Sequence, residues 1–398
     1  MTSITDSLQK PKFEDIFFSL RATAKHPSAI VKETKQAVAI AREFNDQVSR
    51  SRDLQLDATK QENPDHLPWE IVQEGNRWGF YTMFIPKAFG GKGYNLSCLG
   101  PFLEEISSVC LAIANILSVH YLGVSSLTTT WNLRMLDKIF RDVLEGEKRD
   151  QPCLISLAMT EPDAGTDVQN IELMDAGNLG CRAEKVDSGY LLNGSKIFIS
   201  MGHMSTWHIV NAYSDLEKPS ENMVVLAVKS GTQGFSLGKK EDKMGQLGCP
   251  ASELIFKDCL VPEENVCIDS SQTEGLHKGI KGTNEQILAS LWGASRMGVA
   301  SFGAGAARGA YQEAVKFAQN QELNGEPLIN QQWCQSKLTD MYKNVAISRS
   351  IYLEATYANA MHGLWKTLNS RPIYYLIKII PAKLLHIVVP PICKKKLS

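Results

Sequence analysis

The sequence carries almost no net charge and no patterned set of cysteines, and both absences exclude classes of protein. Its 398 residues contain 42 Lys and Arg against 43 Asp and Glu, so nothing predicts nucleic acid as a bulk partner. The nine Cys include no Cys-x-x-Cys pair and no metal-like Cys/His spacing, which predicts buried thiols in a reducing compartment and no metal site. Residues 1–14 lack an apolar run, so we expect no signal peptide and a cytoplasmic protein.

Two glycine-rich stretches lack what a phosphate site requires. Residues 90–93, Gly-Gly-Lys-Gly, have neither the four-residue spacer nor the Ser/Thr after Lys of a P-loop, so they predict a tight turn between helices. Residues 303–309, Gly-x-Gly-x-x-x-Gly, follow no strand, which argues against a dinucleotide fingerprint. This second pattern predicts a small-residue face that packs closely against another helix.

The hydrophobic periodicity changes along the chain and predicts an α+β protein. Helical spacing indicates helices over residues 32–48, 69–78, 98–122, 133–144, 289–320 and 332–361. The region between them holds short β-type runs, which suggest a compact β-domain or barrel. We therefore predict a helical extension at 1–66, a helical domain at 67–152, a central β-domain at 153–270 and a helical C-terminal bundle at 280–398.

The β-type runs also contain a hairpin signal. They cover residues 153–159, 181–186, 190–192, 197–199, 207–212, 223–228 and 253–256. Asn193-Gly194 separates the third run from the fourth, and both central residues of a type I′ turn need a positive φ. The pair therefore predicts a two-residue turn between two short strands.

The most informative stretch is residues 158–167, where an apolar run ends in a polar turn. Gly165 can supply a positive φ and lets a ligand approach the backbone closely. Thr160 and Thr166 place hydroxyls on either side of the turn. Such a loop can cradle a phosphate-bearing or polar ring-bearing ligand, although its composition alone favours an acidic surface turn.

The order of these residues resembles the flavin-binding motifs of the acyl-CoA dehydrogenase family. Residues 160–167, Thr-Glu-Pro-Asp-Ala-Gly-Thr-Asp, resemble the first motif, and residues 198–200, Phe-Ile-Ser, resemble the second. The resemblance extends from about Leu67 to Gln332. It implies FAD as cofactor and a helical N-terminal domain, a central β-domain and a helical C-terminal bundle. The cofactor-binding residues that it implies are Leu157, Met159, Thr160, Gly165, Thr166, Phe198, Ile199, Ser200 and Gln332.

The resemblance also implies an acyl-CoA thioester as substrate, which Thr166 and Arg296 would face. Two departures weaken the match. The family's Arg that contacts the pyrophosphate of the flavin dinucleotide is here Gln321, so a charge-assisted contact is lost. The family's Ser and Thr at the exit of the β-domain are here Cys249 and Ala251, which removes side-chain hydrogen bonds.

No catalytic base can be named from the sequence. The family's reaction needs a carboxylate to remove the acyl α-proton, and the C-terminal Tyr-Glu-Gly-type motif that usually supplies it does not occur, so we expect an incomplete bundle. The alternative position in some relatives, just before Arg296, is Ser295. Two functions stay open: α,β-dehydrogenation of an acyl-CoA in fatty acid metabolism, and a degenerate or truncated relative that binds flavin or acyl-CoA, or scaffolds a partner, without turnover.

The partners that the resemblance implies are further copies of the chain and an electron-transfer flavoprotein as electron acceptor. The apolar residues 373–393 are interrupted by Lys378, Pro381 and Lys383, so they form a poor membrane-spanning helix. They predict a core or subunit contact, with peripheral contact to a membrane surface as the alternative.

Overall fold

The computed structural model describes residues 27–169, 171–270 and 283–362, and this part of the chain divides into two compact units. Unit 1 combines residues 27–56, 95–114 and 295–362. Unit 2 combines residues 57–94, 115–169, 171–270 and 283–294. Because helices occur in both units and an eight-stranded sheet in unit 2, the predicted α+β class is confirmed. The four predicted segments cross the boundaries of these units and stay a prediction.

The elements alternate as the periodicity predicts, with helices before and after a run of strands. The described helices are α1 Ser28–Phe44, α2 Asp53–Glu62, α3 Trp69–Arg77, α4 Leu99–Ser107, α5 Leu111–Thr129, α6 Leu133–Lys148, α7 Ile171–Met174, α8 Thr283–Asn320 and α9 Gln332–His362. The strands are β1 Ile155–Ala158, β2 Arg182–Val186, β3 Gly189–Ser200, β4 Trp207–Tyr213, β5 Met223–Lys229, β6 Phe235–Lys240, β7 Ala251–Pro262, β8 Val266–Asp269, β9 Glu322–Leu323 and β10 Glu326–Pro327.

The single helix predicted over residues 98–122 is wrong, because the chain breaks between α4 and α5. At the break the hydroxyl of Ser107 donates to the carbonyl of Glu104 at 3.3 Å, and that of Ser108 to the carbonyl of Glu105 at 2.7 Å. Serine hydroxyls that bond back to the preceding turn compete with the helical ladder. The apolar periodicity continues across the break, which is why the sequence hides it.

Within unit 1, helix α8 packs against α4 through glycines, which confirms the predicted small-residue face at two of its three positions. A Cβ on Gly305 would overlap the backbone of Glu104 and the side chain of Ser107, and a Cβ on Gly309 would overlap the carbonyl of Ser108. A Cβ on Gly303 would meet nothing within 4 Å. The close approach of the two helices therefore depends on Gly305 and Gly309.

The sheet of unit 2 has the strand order β6-β7-β3-β2-β4-β5-β8, with β1 paired in parallel with β4. Most of its other pairs are antiparallel, and inward-facing side chains from neighbouring strands form one apolar core. Among the described residues no pairing joins β6 to β8, the two ends of this order, so closure into a barrel stays a prediction. Strands β6 and β8 were absent from the sequence prediction; β6 is largely exposed and carries Gly238 and two lysines, so it shows little apolar alternation.

The predicted hairpin at Asn193-Gly194 is wrong, because these residues lie within the continuous strand β3. Asn193 has no positive φ, and Gly194 has a φ of 131°, which is not the conformation of a type I′ turn. A Cβ on Gly194 would lie 2.8 Å from the Cα of Cys181. Gly194 therefore serves close backbone approach at an irregularity of the β3–β7 ladder, while the turn that pairs β2 with β3 lies at residues 187–188.

Three further observations concern single segments. Lys92 of the Gly-Gly-Lys-Gly turn donates from Nζ to the carbonyl of Gly79 at 2.6 Å, just after α3 ends, so its ammonium group binds backbone at the end of a helix.

Helix α5 contains a stretch that is long and apolar enough to cross a membrane. However, 78% of that stretch is buried inside the protein, as in a core helix. The segment 373–393, for which a subunit or membrane contact is predicted, lies outside the described residues.

Candidate functional site

Strand β1 leads directly into the predicted cofactor loop, and an ion pair fastens that loop to β3. Lys196 Nζ lies 2.6 Å from Glu161 Oε1, and the two side chains are 0% and 2% exposed. Lys196 Nζ also donates to the carbonyl of Met159 at 3.0 Å, and the amide of Ile197 donates to the carbonyl of Thr160 at 2.9 Å. The structure thus brings the first predicted motif next to the second.

The loop itself is folded by its own backbone. The amide of Glu161 donates to the carbonyl of Ala164 at 2.9 Å, which closes a tight turn over residues 161–164. The amide of Gly165 then donates to Asp167 Oδ1 at 2.6 Å. The expected positive φ at Gly165 is wrong, because Gly165 is not among the residues with a left-handed backbone.

The space around Gly165 explains the glycine better than its backbone does. A Cβ on Gly165 would meet nothing within 4 Å in the described chain. No neighbouring atom of this unit therefore requires glycine there. A ligand that approaches the backbone closely would require it, so this position fits a cofactor cradle.

Phe198 occupies a bulge that turns its side chain outward. The β3–β7 register shifts between Lys196 and Ile199, and Phe198 has a φ of 57°, in the left-handed region that non-glycine residues rarely adopt. As a result Phe198 is 57% exposed, while Ile199 returns to the core and is 3% exposed. The strained backbone presents an aromatic ring at the surface beside the Thr160 loop.

The predicted residues of this unit divide into those that can offer side chains and those that can offer only backbone. The hydroxyls of Thr160, Thr166 and Ser200 have no hydrogen-bond partner in the described chain. Met159 and Ile199 have buried side chains, so they can contact a ligand only through backbone atoms. Leu157 is half-buried on β1, opposite Ile209 of β4, and stays a prediction.

These groups fit a flat ligand with polar edges. Exposed or half-buried hydroxyls can donate to ring nitrogen and oxygen atoms, the Phe198 ring offers an apolar face, and the open space at Gly165 admits the ligand to the backbone. The isoalloxazine of FAD has this chemistry, so the residues present fit the predicted cofactor. The individual assignments stay predictions.

Beneath the loop, the surroundings of the ion pair are apolar and largely neutral. The Tyr213 ring centroid lies 5.9 Å from Lys196 Nζ, and the Tyr213 hydroxyl makes no hydrogen bond within the described chain. Burial, and after it the carboxylate of Glu161, raises the pKa of Tyr213 well above its usual value. Burial also raises the pKa of the Cys181 thiol to about 11, so both groups are neutral at physiological pH.

The other predicted residues belong to unit 1. Arg296 lies on α8, and Gln332 is the first residue of α9; both are exposed. Arg296 makes no hydrogen bond or ion pair within the described residues. Ser295 is half-buried, and Gln321 is exposed at the end of α8. Their assignment to cofactor or substrate stays a prediction.

Sequence reasoning missed the partnership of Lys196 and Glu161. Along β3 the buried positions Tyr190, Leu192 and Lys196 alternate, so a lysine faces inward, where an unpaired charge is strongly disfavoured. That alternation would have predicted a buried carboxylate partner. The mistaken hairpin at Asn193-Gly194 interrupted the strand and concealed the signal.

Comparisons with known proteins agree with this reading of the fold. The N-terminal domain model of acyl-CoA dehydrogenase matches residues 32–146, the middle domain model residues 156–259, and the C-terminal domain model residues 286–378. The 3-(aryl)acrylate reductase of Clostridium sporogenes is 30% identical over 324 residues, which cover 80% of this chain and 77% of that protein. Subunit CarC of the caffeyl-CoA reductase–Etf complex of Acetobacterium woodii is 28% identical over 295 residues, which cover 74% and 72%.

A solved structure extends the comparison to three dimensions. A glutaryl-CoA dehydrogenase from Mycobacterium smegmatis, in complex with FADH2, superposes with a TM-score of 0.67 at 20% identity and covers 87% of this chain and 79% of its own. The predicted fold, with a helical N-terminal domain, a central β-sheet domain and a helical C-terminal domain, is therefore confirmed, and FAD is confirmed as the cofactor of the family. Since matches to all three domain models follow in order along the sequence, the chain belongs to the acyl-CoA dehydrogenase family.

Proposed function

We propose that this chain binds FAD with the loop at residues 160–167 and the segment Phe198–Ser200, and that it oxidises an acyl-CoA thioester at its α and β carbons. One observation carries the proposal: the ion pair of Lys196 and Glu161 holds the two motifs side by side, with open space at Gly165. Family membership supports the same chemistry. A role in fatty acid metabolism follows from the proposed substrate.

Bound flavin would supply the redox chemistry by accepting the β-hydride. The chain's own residues would bind and orient. The hydroxyls of Thr160, Thr166 and Ser200 would donate to the polar edge of the ring, and the Phe198 ring would cover part of its apolar surface. Thr166 and Arg296 would face the thioester.

The catalytic base separates this function from a second candidate. Ser295 stands where some relatives carry a carboxylate, and a serine hydroxyl cannot take up the α-proton at neutral pH. Gln321 in place of a pyrophosphate-binding Arg weakens cofactor binding as well. Both residues favour the alternative, a relative that binds FAD or acyl-CoA and does not turn it over.

Cofactor binding is tested by titrating the apoprotein with FAD and following flavin fluorescence. We expect saturable binding with a dissociation constant no weaker than tens of micromolar, which corresponds to roughly −6 kcal/mol. Gly165→Val should weaken FAD binding at least about tenfold, because the new side chain fills the space proposed for the ligand. The same variant should change the thermal midpoint of the apoprotein only slightly, since a Cβ at this position meets no atom of the described chain within 4 Å.

The hydroxyls provide a matched pair for the same assay. Thr160→Val keeps the shape of the side chain and removes its hydroxyl, so FAD binding should weaken. Thr232→Val removes the hydroxyl that donates to the carbonyl of Lys229 at 2.7 Å in the turn between β5 and β6, so FAD binding should not change. Equal affinities for both variants and the unmodified protein would argue against the assigned site.

Turnover is tested by mixing FAD-loaded protein with acyl-CoA without oxygen and recording the flavin absorbance. With Ser295 in place of a carboxylate, dehydrogenation by the unmodified chain predicts a spectral shift on binding followed by very slow reduction, whereas the binding-only alternative predicts the shift with no reduction. Ser295→Glu places a carboxylate at this position and should accelerate flavin reduction, because general base catalysis typically contributes about 10²–10⁴-fold. Rapid reduction by the unmodified chain would instead identify it as an active dehydrogenase with another base.

We further propose that the chain forms homo-oligomers and works in the cytoplasm. Exposed apolar side chains on α8 and α9 offer a surface for a second copy, namely Val299, Phe317, Trp333, Ile347 and Ile351. The eight described cysteines are buried and form no disulfide, in keeping with a reducing compartment. An electron-transfer flavoprotein is the proposed acceptor, since a relative is a subunit of an Etf complex. Light scattering at micromolar protein tests the assembly.

A further inference from the structure

The buried pair of Lys196 and Glu161 contacts backbone at both of its ends. Beyond the ion pair, Lys196 Nζ donates to the carbonyl of Met159 at 3.0 Å. Glu161 Oε2 accepts from the amide of Gly180 at 2.6 Å and from the amide of Cys181 at 3.0 Å. The pair therefore joins three stretches of main chain: the loop after β1, the entry to β2, and β3.

Stability alone explains such a pair poorly. A buried ion pair gains little net free energy over well-packed apolar side chains of similar volume, because removing both charges from water offsets their attraction. The pair differs from apolar side chains in being directional, because each of its two side chains holds specific backbone groups in place. Without the two charged side chains, one described hydrogen bond would still join residues 159–161 to β3. It runs from the amide of Ile197 to the carbonyl of Thr160.

We propose that Lys196 and Glu161 are positioning residues that set the spacing between the two FAD-binding motifs. Neither side chain is exposed, so neither touches the cofactor from the surface. They act on the first motif through the backbone of Met159 and Thr160. They act on the second motif through the β3 backbone, which runs from Lys196 through Ile197 to Phe198. This inference rests on the proposed binding of FAD.

The test separates position from stability with a double variant. Lys196→Met alone should lower the thermal midpoint of the apoprotein, because it leaves the Glu161 carboxylate buried without its partner. The double variant Lys196→Met/Glu161→Met removes both charges but leaves the backbone groups of Met159, Gly180 and Cys181 without these partners, so its midpoint should recover only part of that loss. Its FAD affinity should nevertheless stay at least about tenfold weaker, and the visible circular dichroism of its bound FAD should change.

A variant on the same strand serves as control. Tyr190→Phe removes the partly buried hydrogen bond from the Tyr190 hydroxyl to Asp269, at the opposite end of β3 from Phe198. It should lower the midpoint of the apoprotein while its FAD affinity stays within about twofold of the unmodified value. If FAD affinity instead follows the midpoint in every variant, the pair acts only through stability and the inference is wrong.

A second measurement covers the case in which the double variant fails to fold. In the unmodified apoprotein, hydrogen exchange at the amides of Gly180 and Cys181 should already be slow, because Glu161 holds them before FAD binds. In Glu161→Gln both amides should exchange faster, and saturating FAD should slow them again. Fast exchange in the unmodified apoprotein would overturn the inference. Absence of FAD binding by the unmodified protein would overturn the proposed function, and this inference with it.

Discussion

Unit 1 and unit 2 both bury ion pairs, but the pairs have different partners. In unit 2, Lys196 and Glu161 bind each other and three backbone groups. In unit 1, Glu104 is fully buried and contacts Arg308 Nη1 at 3.3 Å, Arg349 Nε at 3.0 Å and the hydroxyl of Tyr352. Among the described residues, the partners of the Glu104 carboxylate are all side chains, and they come from α8 and α9.

The reason lies in the secondary structure around each pair. Helices α4, α8 and α9 satisfy their interior backbone groups within themselves, so charges between them can only fix how one helix lies against another. A loop beside a strand has backbone groups that regular secondary structure does not pair. A buried charge there can bind these groups and so fix the course of the main chain. Loss of a charge should therefore reduce stability in unit 1, whereas in unit 2 it should also displace a site.

The largest effect should come from breaking the cluster in unit 1. Arg349→Met leaves the Glu104 carboxylate with Arg308 as its remaining cation in a fully buried position, and one-sided removal of this kind typically costs about 3–5 kcal/mol. Urea unfolding of the apoprotein should show this loss as a lower midpoint. Burial and the neighbouring Glu104 carboxylate raise the pKa of Tyr352 well above its usual value, so its phenol stays protonated and adds no second negative charge beside Glu104.

An exposed pair on α8 gives the matched comparison. Lys316 and Glu313 form an i,i+3 pair at 2.6 Å with both side chains more than half exposed. Lys316→Met should change the unfolding free energy by less than about 0.5 kcal/mol. If Arg349→Met changes the unfolding free energy as little as Lys316→Met does, the buried cluster contributes no more stability than a surface pair. The proposed difference between the two units would then be wrong for unit 1.

A smaller effect should come from buried polar groups that carry no charge. In unit 2 the His208 ring is hydrogen-bonded through Nδ1 to Ser156 Oγ at 2.8 Å and through Nε2 to Ser230 Oγ at 2.9 Å. Burial lowers the pKa of His208 to about 3. An unfolded histidine has a pKa of about 6.5, so between pH 6.5 and 3 the unfolded chain binds a proton that the folded chain rejects. Stability therefore falls as the pH drops below about 6.5, by about 2 kcal/mol for this residue between pH 7 and 5.

Histidine replacement isolates this contribution from that of the carboxylates. His208→Gln keeps an amide that can donate and accept but does not titrate, so its unfolding free energy should fall by about 2 kcal/mol less than that of the unmodified protein between pH 7 and 5. His120, whose pKa burial lowers to about 4, still titrates in this variant and keeps part of the pH dependence. Parallel pH profiles for His208→Gln and the unmodified protein would show that His208 does not stay neutral.

The sequence predicts unit 1 better than the site in unit 2, and the reason is local. Helix α9 follows from periodicity within one stretch, and the glycine face of α8 follows from spacing alone. The break between α4 and α5 was missed, because serine hydroxyls end the helix without changing the apolar pattern.

In unit 2 the motif residues could be named, but not the way in which they are held. The outward ring of Phe198 depends on a left-handed residue at a bulge, which a sequence of strand type does not reveal. Glu161 and Lys196 are 35 residues apart, and the alternation along β3 indicates that Lys196 faces inward without showing which carboxylate it meets. Long-range partners of this kind are set by tertiary packing, which local patterns do not encode.

Two glycines of one helix sharpen the account of unit 1, and the second of them gives the smallest expected effect. Gly305→Ala places a methyl group against the backbone of Glu104 and the side chain of Ser107, which should push α8 away from α4 and cost about 1–3 kcal/mol. Gly303 is exposed on the same helix with nothing within 4 Å of its Cβ position. Gly303→Ala should therefore stabilise the protein by about 0.5–1 kcal/mol, as alanine does in helix interiors. Opposite shifts of the urea midpoint are expected for the two variants. Because Glu104 also holds Arg308 and Arg349, the Gly305→Ala and Arg349→Met effects should be non-additive, and strict additivity would show that helix spacing and the ion cluster are independent.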